Sequence, residues 1–434
     1  MRRTSLLALF LALPPALSAQ SPATPGVTLQ EAITRAQLAQ PSVVTAQGAV
    51  GRAAAQYKTT WGAYIPSLNF NSNFGTSYSN GPSRVNQITN EVITGESYAK
   101  SISNTVSASV DLFTGFRRGA NMDAARATEV AADAGLLDAQ YQVTLSAKQT
   151  FFGALAANEL VRVRQASLRR AEEQLSVSVA KLQAGSATRS DSLRSLVTLG
   201  NSQLQLLTAR TAVATTEANL GRLVGMEGRV RALPDSAYLV VVELGDTSAV
   251  RTEAEDNSPK VRAAQAQADA ARASVRASKA AWWPQLNLSG RYSLNGNDSQ
   301  DYRFFDSRSM TLALSYPIFN GFLRNQSIVN ATTTYDATAS NAADARRQVD
   351  AALTARLAEL EAARAQIDIT TTSLQAATED LRVNRERYRL GAATIVDVLT
   401  SQEALSQAEV DVVQARYNYV VAKAQIEALI GRSL

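Results

Sequence analysis

Tyr388-Arg-Leu-Gly391-Ala-Ala-Thr394-Ile-Val-Asp397-Val-Leu399 separates two long stretches of helical periodicity and reads as the turn of a helical hairpin. Gly391 suits the left-handed position that ends a helix. Thr394 suits the N-cap of the next helix, and Asp397, three residues on, completes a capping-box pattern. The same punctuation stands earlier, at Gly185-Ser-Ala-Thr188-Arg-Ser-Asp191-Ser-Leu193. Gly185, Thr188, Asp191 and Leu193 map onto Gly391, Thr394, Asp397 and Leu399 at a single offset of 206. The chain therefore reads as a duplication with two matched hairpin tips, at 184–191 and 390–397.

Outward from the second tip the periodicity is that of a coiled coil. Leu353, Leu360, Ile367, Leu374, Leu381 and Tyr388 recur every seven residues before it. Val398, Leu405, Val412, Tyr419 and Ile426 do so after it, joined by Ala408, Ala415, Ala422 and Leu429. Sustained heptads mean helices packed side by side, with the alanines allowing close approach. Before the first tip Leu168, Leu175 and Leu182 repeat in the same way. The long helix there starts after Phe113-Thr-Gly-Phe116 and continues to about Ala184, which is about 100 Å at 1.5 Å per residue.

Two alternating stretches interrupt the helices in each half. Leu68, Phe70, Phe74 and Tyr78 share one face against Asn69, Asn71, Asn73, Gly75 and Ser77. Ile102, Val106, Ala108, Val110 and Leu112 share another against Ser101, Ser103, Thr105, Ser107, Ser109 and Asp111. Leu286, Leu288, Tyr292 and Leu294, then Met310, Leu312, Leu314, Tyr316 and Ile318, repeat the pattern, with Arg291 on the polar face. Strands are expected at 67–79, 101–113, 285–295 and 309–319. One apolar face and one face of small polar residues is the pattern of a membrane β-barrel. Trp61, Tyr64, Trp282 and Trp283 precede strands, while Phe113, Phe116, Phe319 and Phe322 follow them. Both sets fall where helix meets strand, as an aromatic girdle at one membrane rim would.

The second half replays the first: Pro259, Pro284 and Leu286 follow Pro41, Pro66 and Leu68 at an offset of 218. Past the hairpin the offset becomes 206, so the length change of 12 residues lies in the loop between the strands. The expected organisation is a signal peptide over 1–19, a first repeat over 20–225, a connector over 226–258 and a second repeat over 259–434. The connector holds a β-like run, Tyr238-Leu-Val-Val-Val242, and an acidic tail with Glu253, Glu255 and Asp256.

Composition narrows the function. The chain has neither Cys nor His, which removes thiolate nucleophiles, disulfides, the usual zinc ligands and imidazole catalysis. No cofactor or metal is expected, no Walker A pattern occurs, and nothing suggests an enzyme. Arg2 and Arg3, the apolar run Leu6–Leu13 and the small residues around Ala19 form an export signal, and without Cys there is no lipid anchor at the mature N-terminus. Removing Arg2 and Arg3 leaves 41 basic against 38 acidic side chains, too balanced for nucleic acid. No segment offers about 20 consecutive apolar residues, so entry into outer-membrane lipid would have to be as a β-barrel. Four strands cannot close one; the smallest closed membrane barrels have about eight. Several copies must then share a barrel, and cyclic closure of identical chains is the ordinary solution.

The order helix–strand–strand–long helix–tip–helix, twice over, resembles the TolC family of outer-membrane efflux ducts. Its sharpest motif is Arg387-Tyr388-x-x-Gly391-x-x-Thr394-Ile-Val-Asp397-Val-Leu399, followed by Ala415-Arg-Tyr417-Asn-Tyr419. The resemblance implies a homotrimer, mainly α with membrane β. Four strands from each copy would make a 12-stranded outer-membrane barrel, and the coiled-coil helices a periplasmic α-barrel. It further implies tips that open and that dock a periplasmic adaptor tied to an inner-membrane pump. Asp397 then matches an acid at the periplasmic constriction, with Thr394, Thr400, Asp191 and Arg189 as its expected neighbours in the gate. Thr400 stands where a second acid is expected, and Ala393 where an arginine ties the tips. Gly185, Gly391, Arg387 and Tyr388 match the adaptor-contact region. Arg382, Arg385, Arg387 and Arg389 make a basic stretch near the second tip that reads first as a solvated helix face and second as an adaptor-docking surface. Helix capping uses Asp397 and the tip glycines as well, and is compatible with both roles. The alternative is a trimeric coiled-coil surface protein anchored by a shared barrel; strands that interrupt the helices twice argue against it.

Overall fold

The computed structural model describes residues 25–432 apart from 86–87, 89–91, 94, 235–250, 253, 255–256 and 298–302. The expected signal peptide, the run Tyr238–Val242 and the acids Glu253, Glu255 and Asp256 lie outside the described residues. The helices are α1 (Leu29–Ala39), α2 (Pro41–Gly62), α3 (Arg117–Gln183), α4 (Arg189–Leu223), α5 (Pro259–Lys279), α6 (Leu323–Arg389) and α7 (Ile395–Ile430). The strands are β1 (Gly26–Val27), β2 (Ser67–Asn80), β3 (Arg84–Val85), β4 (Val92–Ile93), β5 (Glu96–Phe113), β6 (Arg231–Ala232), β7 (Gln285–Asn297) and β8 (Phe305–Ser315). The two long helices, α3 and α6, are each 67 residues, so the repeat preserves their length to the residue.

The chain divides into two compact units. One comprises Ala36–Ser146, Leu239–Thr372 and Ala415–Leu434. Its sheet is antiparallel in the order β2-β5-β7-β8, so each repeat forms a hairpin and the halves join through β5 and β7. Leu68 faces Ala108, Phe70 faces Val106 and Phe74 faces Ile102, which puts apolar beside apolar on one face. That face is bare: Leu68, Phe70, Phe74, Met310, Leu312 and Leu314 are all exposed. The opposite face is hydrogen-bonded across strands, with Ser103 Oγ donating to Asn295 Oδ1 at 2.8 Å and Thr105 Oγ1 to Ser293 Oγ at 3.3 Å. Water would penalise such an exposed apolar face, whereas lipid solvates it. Pro66 and Pro284 end the preceding helical runs because a residue before proline is pushed out of the α region. The helical core of this unit includes Val43, Val261, Val349, Leu353 and Ile426, all almost fully buried.

The other unit comprises Met1–Arg35, Ala147–Tyr238 and Ser373–Gln414. In it β1 and β6 pair in parallel, and Phe151, Leu29, Leu220 and Val230 are each buried beneath 2% exposure. A strand in the connector thus lies at 231–232, earlier than the β-like run read at 238–242. The rest is the two helical hairpins, α3–α4 and α6–α7. Around the second tip Leu381, Tyr388, Ile395, Val398 and Leu405 form one buried cluster, as the heptads require. Each such side chain contributes about 1.5–3 kcal/mol by leaving water. The first hairpin differs. Leu168, Leu175 and Leu182 are only half-buried, and the inward positions belong to Ala171, Gln174 and Ser178.

Candidate functional site

Both tips are built from the local chemistry that their sequences specify. At the second, Ala392 N–H donates to the Arg387 carbonyl at 2.7 Å and Gly391 N–H to the Tyr388 carbonyl at 3.2 Å. Gly391 has φ 79°, the left-handed conformation in which a Cβ would be strained. Asp397 Oδ2 then accepts from the Thr394 N–H and from Thr394 Oγ1, each at 2.8 Å, and the Asp397 N–H donates back to Oγ1 at 3.3 Å. These bonds, first the backbone one, hold the Asp397 carboxyl below the usual carboxylate range, and the Arg387 charge adds to them. The first tip repeats the arrangement: Gly185 has φ 72°, and Thr188 and Asp191 form a reciprocal capping box at 3.0 and 3.3 Å. Asp397, Arg189, Thr394 and Gly391 are exposed and Asp191 is half-buried. Thr400 is exposed too, and lines an open groove of about 610 Å³ between α4 and α7 with Leu193, Arg194, Val197, Val396 and Leu399.

The basic stretch before the second tip is largely neutralised in place. Arg382 pairs with Glu379 and Arg389 with Glu386, each three residues back on the same helix. Arg387 donates to the Ala392 carbonyl at 3.3 Å, closing the tip. Arg385 is half-buried; burial pulls its pKa down, and the Glu173 charge opposes that.

Two features had no place in the sequence reading. Lys181 of α3 donates from Nζ to the Tyr388 carbonyl, and the same ammonium lies 4.0 Å above the Tyr388 ring. It thereby joins the first tip to the end of α6, where the helix dipole favours a cation. Tyr388 is 7% exposed, and its hydroxyl has no partner among the described residues. The second feature is a polar layer in each hairpin. Gln174, Ser178 and Ser195 are buried and bonded, Ser178 Oγ to Ser195 Oγ at 2.9 Å and Gln174 Nε2 to Ser178 Oγ at 3.3 Å. At offset 206 stand Asp380, Asn384 and Ser401, where Asn384 Nδ2 donates to Ser401 Oγ at 2.8 Å and to Asp380 Oδ1 at 3.1 Å. Ser401 Oγ in turn donates to Asp380. The offset was the signal that could have found this layer, because it aligns polar side chains at positions that heptads reserve for apolar ones.

Further from the tips the hairpins are joined by Arg170, which grips Glu409 through two bonds of 3.1 and 2.7 Å. Arg164 bridges Gln205 and Ser406 at 2.9 Å each.

In the sheet-bearing unit the strand-flanking aromatics are placed as the sequence suggested, at helix–strand junctions. Trp61, Tyr64, Trp282, Trp283, Phe116, Phe319 and Phe322 are exposed and Phe113 is half-buried. Phe116 meets Phe113 and Trp283 edge-on at 5.4 and 5.7 Å, and Phe319 meets Phe322 at 5.5 Å. Each junction carries an arginine stacked on an aromatic: Arg118 on Tyr64 and Arg324 on Trp282. Arg118 also donates to the Ala63 and Leu112 carbonyls, at 3.2 and 3.0 Å. Arg324 is buried, donates to the Ile318 carbonyl at 3.1 Å and leaves Nε and Nη1 without partners among the described residues. Arg291 lies exposed on the polar face opposite Ser107.

Comparison with known proteins places this architecture. The family model described as outer membrane efflux protein matches residues 32–226 and 250–432. The pyoverdine export outer membrane protein OpmQ of Pseudomonas putida is 31% identical over 333 residues, 72% of this chain and 67% of that one. The outer membrane protein TolC of Escherichia coli is 22% identical over 322 residues, 69% of this chain and 64% of its own. Among solved structures, the outer membrane protein VceC of Vibrio cholerae superposes with a TM-score of 0.78 over 93% of this chain and 96% of that one, at 18% identity.

Proposed function

The chain belongs to the outer membrane efflux protein family, and from that premise we propose that it is the passive exit duct of a tripartite efflux or type I secretion system. It is an outer-membrane channel protein. In the proposed assembly three copies share a barrel of 12 strands and receive cargo from a periplasmic adaptor bound to an inner-membrane pump. Residues 1–19 are the export signal, and 20–225 and 259–434 are the two duct repeats joined by 226–258. The observation that carries the reading is the four-stranded sheet, bare and apolar on one face, polar on the other and, among the described residues, unpaired at both edges. Energy would come from the pump, so the duct needs no nucleotide site.

The tips form the periplasmic gate in this reading. Three Asp397 carboxylates around a narrow mouth make a ring that attracts cations and repels anions. Their bonds to Thr394 keep them ionised at neutral pH. With Thr400 beside them in place of an acid, the ring is single. Gly185, Gly391, Arg387 and Tyr388 lie in the region that meets the adaptor, and the exposed aromatics sit at the membrane rim. Single-channel recording in planar bilayers tests the duct: a trimeric preparation that never conducts would sink it. Asp397→Ala tests the ring separately, and should weaken block by divalent or bulky cations while leaving conduction intact.

A further inference from the structure

The polar face of the sheet is almost without charge. Four of the charged side chains on its strands fall in step with the apolar set, near the loop ends of β5 and β8. Glu96 and Lys100 face Asn80 and Thr76, while Asp306 and Arg308 face Leu294 and Tyr292. Among the described residues of the four long strands, that leaves Asp111 and Arg291 on the polar face. Asp111 sits at the helix end of β5 and accepts from Asn287 Nδ2 at 2.9 Å. Arg291 stands in the middle of β7, four residues beyond Asn287 and about 13 Å further along the strand.

Nothing on the neighbouring strands answers the charge of Arg291. β7 is an inner strand, flanked by β5 and β8 of the same chain. Whatever covers the outer edges of the sheet, Arg291 keeps Ser107 on one side and Ser309 on the other. The adjoining rungs are hydroxyls too, with Ser293 facing Thr105 and Ser289 facing Thr311. Arg291 is exposed and makes no ion pair among the described residues. The offset of 218 puts Asn73 in its place in the first repeat, so each copy carries one such cation. A guanidinium stays charged at any working pH and keeps five donors. Ringed by small hydroxyls and left unpaired, it is free to meet a solute.

We propose that Arg291 is a specificity-determining residue of the duct, and that three copies of it form a cationic ring inside the barrel that favours anionic cargo, carboxylates first. The proposal rests on the shared-barrel reading and deepens it by naming the charge of what passes. Twelve strands spaced about 4.8 Å apart and tilted by about 40° enclose a backbone radius of roughly 12 Å. An inward arginine then carries its charge to within one Debye length of the axis, about 10 Å at 0.1 M salt. The three fields overlap there, so a solute crossing the barrel meets all of them. Rings of arginine select for anions, and the planar fork binds a carboxylate through two parallel bonds. The ring is opposite in sign to that of Asp397 in the gate reading, so the two are separable by experiment.

The absence of cysteine makes the test clean, because Arg291→Cys introduces a single thiol. All chains in the test also carry Asp397→Ala, so that one ring sets the sign. Reversal potentials of single channels in a potassium chloride gradient near 0.1 M give the ratio of chloride to potassium permeability. The chain that keeps Arg291 should show a ratio roughly fivefold that of Arg291→Cys. The difference should fade near 1 M salt, where the Debye length is about 3 Å. A trimethylammonium-bearing methanethiosulfonate should restore the ratio, and a sulfonate-bearing one should drive it lower still. Citrate added on the loop side should block the Arg291 chain more than Arg291→Lys, which keeps the charge and loses the fork. Equal ratios in the Arg291 chain, the cysteine variant and both adducts would overturn the ring and leave the duct standing. So would a thiol that neither reagent labels in the folded trimer. A trimer with Arg291 intact that never conducts overturns the duct reading, and the ring with it.

Discussion

Replacing Lys181 by methionine tests whether the tips are tied as the gate reading requires. The substitution keeps an unbranched stem of similar length and removes the ammonium. Two interactions go with it: the charged hydrogen bond to the Tyr388 carbonyl and the contact 4.0 Å above the Tyr388 ring. A hydrogen bond from a charged donor has a net worth of about 1.5–3 kcal/mol, and a partly exposed cation–π contact about 0.5–1 kcal/mol. Lys181 is only half-buried, so the low ends apply and the sum is about 2 kcal/mol. At 1.4 kcal/mol per tenfold, that is a shift of roughly 30-fold in the ratio of released to tied tips. Single-channel recording reads it directly: Lys181→Met should spend roughly 30 times longer outside the resting conductance level, and Lys181→Arg should restore much of the difference. Traces from Lys181→Met that overlay those of the native chain would refute the tie, whatever the stability of the trimer.

Three further outcomes are expected. Thr394→Ala and Thr188→Ala each remove an N-cap and should each cost about 1 kcal/mol in tip stability, seen as faster amide exchange in the first turns of α7 and α4. The lowered pKa of Asp397 gives the second tip a pH dependence with a definite sign. Its capping contribution is complete above the ordinary aspartate range and is lost as pH falls through the depressed value. Conductance and exchange at that tip should therefore hold steady from neutrality down to about pH 4 and change only below it, and Asp397→Asn should abolish that acidic limb. The two junction arginines should respond unequally to methionine. Arg118→Met gives up bonds to Ala63 and Leu112 and should cost about 2 kcal/mol. Arg324→Met gives up the bond to Ile318 and the contact with Trp282 but also removes two buried nitrogens that lack partners among the described residues, so it should cost less than Arg118→Met in thermal unfolding.

Patterns of period and offset carried most of the fold. The period-2 runs located the four strands because one face of each must differ from the other, and the apolar pairs share a face as expected. The tips were legible because Gly, Thr and Asp at those spacings act through bonds within four residues. The contacts missed join segments far apart in sequence. Lys181 looks like any surface lysine until Tyr388, 207 residues away, is placed beside it. The first hairpin's seam was misread for a related reason. Leucines mark a buried stripe only when apolar packing decides it, and here hydrogen-bonded Gln174, Ser178 and Ser195 take the inward positions. In the basic stretch the first reading, a solvated helix face, agrees with the exposed pairs that Arg382 and Arg389 make with Glu379 and Glu386 one turn back.

The same polar layers bear on how the tips could open. Within each hairpin the layer's members bond one another around a buried serine, Ser195 in the first and Ser401 in the second, so sliding one helix past the other by a turn would strand Ser178 against Ser195, or Ser401 against Asn384, without partners. A buried polar group left unpaired costs about 1–3 kcal/mol; Gln174, Ser178 and Ser195 are buried in the first layer and Ser401 in the second. Between the hairpins the ties are side chains that reach water more readily: Lys181 on Tyr388, Arg164 on Ser406 and Arg170 on Glu409. Their release exposes charged ends that water can solvate. Opening should therefore move hairpin against hairpin, each as a rigid pair of helices. A disulfide across the first layer, Ser178→Cys with Ser195→Cys, joins positions whose oxygens now lie 2.9 Å apart. It should leave conductance and open time unchanged, whereas Arg170→Cys and Glu409→Cys joined by a cleavable bis-thiol cross-linker, which fills the gap that the two long side chains now span, should hold the channel in its resting level until cleaved. If the bond inside the hairpin locks the channel as firmly as the one between hairpins, the helices must slide within each pair, and the polar layers are not the rigid element.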